Sequence, residues 1–409
     1  MKVTHVLRRF DKNDWGGIEA VCLNLCRELK LLDLEVEILS TLAMSKNTED
    51  DYEGVPVKRF SYFYPYLYFK PGKKDEFDRK GGNPLSPELI KHLESSKPDL
   101  IHLHTMGFIG AQVIRFAKKN KIPVITSLHG GHFDVTKNEE ISFDSLYKGT
   151  LGYGRFLRPI LNPNENIQKS EGLICVGKNE ELKAKEAQPG KHISYIPNGV
   201  DLNLFNEEKD KNFYSKLLNI SEDKKVLLYQ SRIDGQKNQK QLVHVASEMK
   251  KLGEEENYHF YINGPVMNET YFDEMKRLAH SLGVEKMMSF NRGVRPGSRD
   301  HIQSFLNAEA FLFPTLHEPF GIVALEAWAA RVPVICSGVG GLEFVVKDNV
   351  NGIVLRPDDH IDWAKKIISL NDHREALVEN GFLEVQQFYS WKNCAKKTKE
   401  FYLNVMQLF

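Results

Sequence analysis

The stretch HEPFGIVALEAWAARVPVICSGVGGLEFVV, His317 to Val346, sets Glu318 and Glu326 on either side of seven mostly apolar residues and follows them with a glycine-rich turn. If Gly321 opens a helix, Glu318 stands in the loop before it and Glu326 lies more than a turn inside. Backbone N–H groups at such an end point at bound anions, and the helix dipole favours negative charge there, so the turn is a phosphate seat. Carboxylates are odd partners for phosphate but good acceptors for hydroxyls. A ligand carrying a diphosphate and sugars together, such as a nucleotide-sugar, would satisfy all of these groups. A glycosidase-like acid and base pair fits less well, because two residues eight apart on a helix are separated by about 12 Å along its axis.

Two cations add to this picture. Arg232 and Lys237 in SRIDGQKN follow the apolar run Val226 to Gln230, with Gly235 between them. Arginine grips a diphosphate as a fork and lysine as a point charge. His129 follows the run Val124 to Leu128, at the carboxyl edge where α/β sheets bind ligands. Gly16 and Gly17 separate an apolar run from a helical pattern, and glycine there admits close approach of a ligand or serves the turn alone. His102 and His104 share a strand face and His129 and His132 share a glycine turn, but neither pair has a carboxylate or cysteine at ligand spacing, so no metal site is expected. GVGGLE, Gly338 to Glu343, nearly spells a dinucleotide fingerprint, yet Glu343 occupies the place of the third glycine.

The elements that must position these groups alternate throughout. Apolar runs at Val3–Leu7, Val36–Leu39, Leu100–His104, Val124–Leu128, Leu173–Val176 and Ile193–Ile196 read as strands, with amphipathic stretches between them. Ile18, Val21, Cys22, Leu25, Cys26 and Leu29 fall at helical spacing. A second series runs through Val226–Gln230, His259–Ile262, Met288–Phe290, Ala310–Phe313, Val334–Cys336 and Gly352–Leu355. This is an α/β pattern of two domains, expected over 1–197 and 198–390, with a final amphipathic helix over 391–409 whose apolar face carries Phe401, Val405 and Leu408. One segment interrupts it: SYFYPYLYFKPGKK, 61–74, carries six aromatic rings beside lysines and reads as an insertion after the second strand. It is either a loop that meets acceptor or a membrane surface, or aromatic packing over the sheet edge.

At 409 residues the chain exceeds one ordinary core, and its 55 lysines and arginines match its 55 aspartates and glutamates. That balance lacks the basic excess a nucleic-acid binder uses. Five cysteines without a C-x-x-C pair point to reduced, buried thiols and a cytoplasmic setting, and the opening Met1-Lys2-Val3 leads directly into a strand rather than a signal peptide. No apolar run approaches the ~20 residues of a membrane span.

Taken in order, WGGIE (Trp15–Glu19), TSLHG (Thr126–Gly130), IPNGVD (Ile196–Asp201), SRIDGQKN (Ser231–Asn238), NGP (Asn263–Pro265), HEPFGIVALEA and GVGGLE resemble the motifs of the retaining GT-B glycosyltransferases of family four. The resemblance implies two Rossmann-like doubly wound domains facing a central cleft, acceptor on the N-terminal side and nucleotide-sugar on the C-terminal side. It assigns Arg232 and Lys237 to the donor diphosphate, Glu318 to the transferred sugar's hydroxyls and Glu326 to the ribose. Gly16 and Gly17 would lie beside the donor phosphates and His129 near the reacting sugar. Backbone N–H groups of Phe320, Gly321, Ile322 and Val323 would reach sugar and phosphate, and the loop Asn291–Val294 would meet the base. Ser231 stands where many members carry glycine. The implied activity is metal-independent transfer of a hexose-type sugar, with no cofactor, to a glycan, lipid-linked or small-molecule acceptor. A UDP-sugar is placed ahead of GDP- or ADP-sugars, with peripheral contact at the inner membrane face through 61–74. A nucleotide-sugar epimerase of the same shape is the alternative.

Overall fold

The computed structural model describes residues 1–11, 17–68, 72–130, 132–133, 147, 150–152, 154–157 and 159–409. The chain divides into two compact units, Met1–Asn198 together with Trp391–Phe409, and Gly199–Ser390.

The N-terminal unit is built on strands β1 (Lys2–Arg9), β2 (Glu35–Thr41), β3 (Glu49–Tyr52), β4 (Val55–Phe60), β5 (Tyr66–Tyr68), β6 (Leu100–Leu103), β7 (Val124–Leu128), β8 (Thr150–Gly152), β9 (Gly172–Cys175) and β10 (His192–Tyr195). Its main sheet runs β10-β9-β7-β6-β1-β2-β4-β3, parallel except for the β3–β4 hairpin. β6, β7 and β9 are buried along their whole length, which is why they read as continuous apolar runs rather than as alternating ones. Helix Gly17–Leu31 buries Val21, Cys22, Leu23, Leu25, Cys26 and Leu29, whereas Ile18, expected on that face, is exposed. Helix Trp391–Leu408 belongs to this unit. Its buried face is Trp391, Cys394, Ala395, Thr398, Tyr402 and Val405, and Leu408 lies outside it, exposed at the helix end.

The C-terminal unit holds β11 (Lys225–Gln230), β12 (Tyr258–Asn263), β13 (Met288–Asn291), β14 (Ala310–Phe313), β15 (Val334–Ser337) and β16 (Ile353–Leu355). They form one parallel sheet in the order β13-β12-β11-β14-β15-β16. Counted along the unit this is 3-2-1-4-5-6, the doubly wound order whose direction reverses between its first and fourth strands.

The aromatic segment follows β4, not the second strand, because the β3–β4 hairpin intervenes. Glu53 and Gly54 turn that hairpin with φ of 58° and 81°. The rings of Tyr62, Tyr64, Tyr66, Phe77 and Tyr147 pack on one another. The Tyr62 and Tyr64 hydroxyls both donate to the Asp78 carboxylate, at 2.7 and 2.8 Å. Much of this segment is therefore a satellite core rather than a free aromatic surface. Asp78→Ala leaves two tyrosine hydroxyls without their acceptor and should cost about 2 kcal/mol. A denaturant midpoint indistinguishable from wild type would remove the carboxylate from this role.

Candidate functional site

In the C-terminal unit the carboxyl ends of β11 and β14 sit side by side where the strand order reverses. The loop after β11 makes a tight turn at Gly235–Lys237, capped by the Asp234 carboxylate, which accepts from the N–H groups of Gln236 and Lys237 at 3.0 and 3.1 Å. Asn238 adopts φ 55°, and its amide donates to the carbonyls of Pro314 and Pro357 at 3.1 and 3.0 Å. Leu316 N–H closes the junction by donating to the Gln236 carbonyl at 2.8 Å. The true helix begins only at Lys240.

Pinned in this way, Lys237 Nζ donates to Glu318 Oε2 at 2.7 Å and stands 5.4 Å from the centroid of the Phe313 ring. The two side chains are 5% and 14% exposed, so the pair is largely withdrawn from water. Arg232 is exposed, and among the described residues its guanidinium forms no ion pair. One cation is thus held in place and one is open to solvent, both on the same loop.

Gly321 caps helix Ile322–Ala329 with φ 98°, a conformation costly for residues with a Cβ, and a Cβ there would meet Leu342 Cδ2 at 2.6 Å. Glu318 lies in the turn before this helix and not on it, so the estimate of 12 Å along a shared helix does not apply. Only Glu326 is helical. The Phe320 N–H is already drawn toward Glu318 Oε1 at 3.4 Å, and Phe320 itself is buried. Ile322 and Val323 are half-buried in the first turn, where N–H groups have no partner within the helix.

The glycine turn after β15 has a packing role that the motif alone did not reveal. Gly341 N–H donates to the Glu318 carbonyl at 2.7 Å, and a Cβ on Gly341 would fall 2.1 Å from the Pro319 carbonyl oxygen. The turn therefore presses directly on the backbone that carries Glu318.

Glu326 points toward helix Arg299–Leu306, where His301 Nε2 lies 3.7 Å from its Oε2. Burial pushes the Glu326 carboxyl up to about 8 and the His301 imidazole down to about 4, so both are neutral near pH 7. A protonated carboxyl donates as well as accepts, which suits a pair of hydroxyls. Nothing in the sequence marks His301, since 25 residues separate it from Glu326 and only the fold joins them. Val294 is half-buried in the loop after β13.

In the N-terminal unit His129 is half-buried at the end of β7. Its Nε2 lies 3.1 Å from His104 Nδ1, and His104 Nε2 lies 3.0 Å from His5 Nδ1. Burial lowers His129 to about 4, so its ring is neutral near pH 7. Gly17 starts helix Gly17–Leu31, while Gly16 and Trp15 fall outside the described residues.

Comparison with known proteins gives two family matches: Glycosyltransferase Family 4 over residues 15–204 and Glycosyl transferases group 1 over residues 210–383. An uncharacterized glycosyltransferase of Methanocaldococcus jannaschii is 28% identical over 100% of this chain and 99% of its own length. A D-inositol 3-phosphate glycosyltransferase of Nocardioides sp. is 24% identical over 95% of this chain and 85% of its own. Among solved structures, Anabaena HepE in complex with UDP and glucose superposes with a TM-score of 0.71 at 16% identity, over 99% of this chain and all of that one, a likeness of fold. The molecule has that GT-B architecture of two Rossmann-like α/β domains.

Two outcomes are expected from this geometry. Gly341→Ala must displace the Glu318 loop and should cost about 1–3 kcal/mol as an overpacked contact; an unchanged thermal midpoint would contradict the close approach. Glu326 titrates near 8 in the folded chain against 4.5 ordinarily, so the folded state holds more protons between these values and stability falls as pH rises through that window. His301, lowered from 6.5 to about 4, acts in the opposite sense, losing stability as pH falls through its own window. Glu326→Gln should therefore flatten the loss between about pH 6.5 and 8 in denaturant titrations, and a retained slope would show that another group is responsible.

Proposed function

The chain belongs to the family 4, group 1 glycosyltransferases, and from that premise we propose that it moves a hexose-type sugar from a nucleotide-sugar to a glycan, lipid-linked or small-molecule acceptor. In this reading the anomeric configuration is retained and no divalent cation is used at the leaving diphosphate. The observation that carries the reading is the Lys237–Glu318 pair at the switch between β11 and β14, with Arg232 and the Gly321 helix end in the adjoining loops.

Breaking the anomeric bond leaves negative charge on the departing diphosphate. Lys237, Arg232 and the N–H groups at the start of helix Ile322–Ala329 stabilise it electrostatically, and because Lys237 is pinned before reaction, little reorganisation is needed. Glu318, turned by Lys237 into a fixed acceptor, receives sugar hydroxyls on its remaining lone pairs. Glu326, neutral beside His301, meets the ribose hydroxyls, and Val294 lies in the loop that meets the base. On the acceptor side, the neutral His129 would supply a hydrogen bond to the transferred sugar, the role that the family resemblance gives it. Front-face departure, with the leaving phosphate oxygen taking the acceptor's proton, accounts for retention without a carboxylate nucleophile.

The UDP bound to Anabaena HepE supports a nucleoside diphosphate donor and keeps a UDP-sugar ahead of GDP- and ADP-sugars. The curated relatives are named as transferases, which disfavours the epimerase alternative. No helix among the described residues is long and apolar enough to cross a membrane. Peripheral contact through 61–74 rests on the exposed Phe63 and Leu67 of that segment.

Thermal-shift screening against UDP-, GDP- and ADP-sugars should give one donor that raises the midpoint. With that donor and an acceptor, Lys237→Ala should lower turnover about 10²-fold, measured as nucleoside diphosphate release by folded protein. Turnover near wild type would remove the clamp and with it the proposed catalysis.

A further inference from the structure

The N-terminal unit buries a group of ligating side chains that the transfer chemistry does not use. β1 carries His5, fully enclosed, and helix Gly17–Leu31 lays Cys22 and Cys26, one turn apart and also fully enclosed, against it. A ring nitrogen of His5 and the two Sγ atoms lie within 4.8 Å of one another. The two thiols are free, not joined as a disulfide. This group lies outside the pairs His102/His104 and His129/His132 that spacing brought forward, because its cysteines come from a different element from its histidine.

The hydrogen bonds around His5 give this group direction. Nδ1 of His5 is engaged by His104 Nε2 at 3.0 Å, and His104 Nδ1 by His129 Nε2 at 3.1 Å. The assignment in which His5 Nδ1–H donates to His104, and His104 Nδ1–H to His129, leaves His5 Nε2 as a bare lone pair. Nε2 is buried and no nitrogen or oxygen donor reaches it; its neighbours are the two thiols, of which Cys26 is the one that interacts with the ring. A thiol is only a weak donor to an imidazole nitrogen, whereas a metal ion would use that lone pair and both sulfurs together. His102, the other neighbour, is not available as a ligand, because the Tyr402 and Ser127 hydroxyls occupy its two nitrogens at 2.6 and 2.7 Å.

We propose that His5 Nε2, Cys22 Sγ and Cys26 Sγ bind one zinc ion. The chemistry of the set is that of thiolate-seeking d10 cations. Two thiolates and a neutral imidazole cancel a divalent charge, so the loaded site adds no net charge to the core. Zinc bond lengths of about 2.0–2.3 Å require ligand atoms roughly 3.5–3.8 Å apart, a contraction that side-chain rotation can supply. His104 then acts as the outer partner that fixes the ligating nitrogen, the arrangement metal-bound histidines commonly show. The fourth corner falls to a small ligand. Such an ion would tie β1 to the first helix, a structural role separate from the diphosphate and independent of the metal-free transfer proposed above.

The test uses the full chain, reduced and freed of metal with a chelator, and titrated with Co2+ as a spectroscopic stand-in. The expected result is one equivalent bound, with sulfur-to-cobalt charge-transfer absorption that Zn2+ displaces. Zn2+ should also raise the thermal midpoint and protect two thiols from alkylation. His5→Gln and Cys26→Ser should each abolish the band, whereas Cys336→Ser, in the other unit, should keep it. Absence of a thiolate–cobalt band in the wild-type protein overturns the proposal even if the variants fail to fold, and so does its persistence in His5→Gln or Cys26→Ser. Neither result bears on glycosyl transfer, which is assayed separately.

Discussion

The contact between Lys237 and Glu318 is the constraint around which the C-terminal unit is arranged. Neither residue could be so deeply withdrawn from water alone, because an unpaired buried charge is far more costly than a paired one. To bring them together the chain needs a tight turn after β11, a left-handed Asn238 to reverse it, and a loop after β14 that lies flush against that turn. The parallel sheet supplies the remainder: in the order 3-2-1-4-5-6 its first and fourth strands are neighbours, so loops distant in sequence leave the sheet together.

Around that pair, charge is either neutralised or exposed. Arg232 faces solvent, and Glu326 and His301 are both discharged by burial. In the N-terminal unit, taken by itself, burial likewise lowers His129 and His104. In the C-terminal unit, therefore, uncharged donors and acceptors at Glu326 and His301 stand apart from the fixed charges of Lys237, Glu318 and Arg232. The separation of roles follows from desolvation more than from the identities of the side chains.

Much of this was readable from the chain alone, and for physical reasons. Strands buried on both faces announce themselves as apolar runs, and all six strands of the C-terminal sheet coincide with such runs. Gly321 was legible as a helix start because a glycine precedes an apolar, helix-forming stretch. What escaped detection depended on contacts across the fold. The β3 strand EDDY is acidic and poor in β-forming residues, so its pairing with β4 left no sequence signal beyond the Glu53-Gly54 turn. The pressure of Gly341 on Pro319, the approach of His301 to Glu326 and the gathering of His5 with Cys22 and Cys26 are all long-range meetings. Spacing along a chain carries no information about such encounters.

The N-terminal unit is discontinuous in sequence, since residues 199–390 form the other unit before helix Trp391–Leu408 returns to its core. Tyr402, wholly enclosed, reaches the buried His102 only from that helix, and Phe401 and Val405 lie against Gly172 of β9. During synthesis, therefore, the strands of this unit leave the ribosome well before the helix that seals their core. The unit encoded in the middle has every one of its strands available earlier. Birth order and completion order are inverted, and the nascent N-terminal sheet spends that interval with one flank of its apolar surface uncovered.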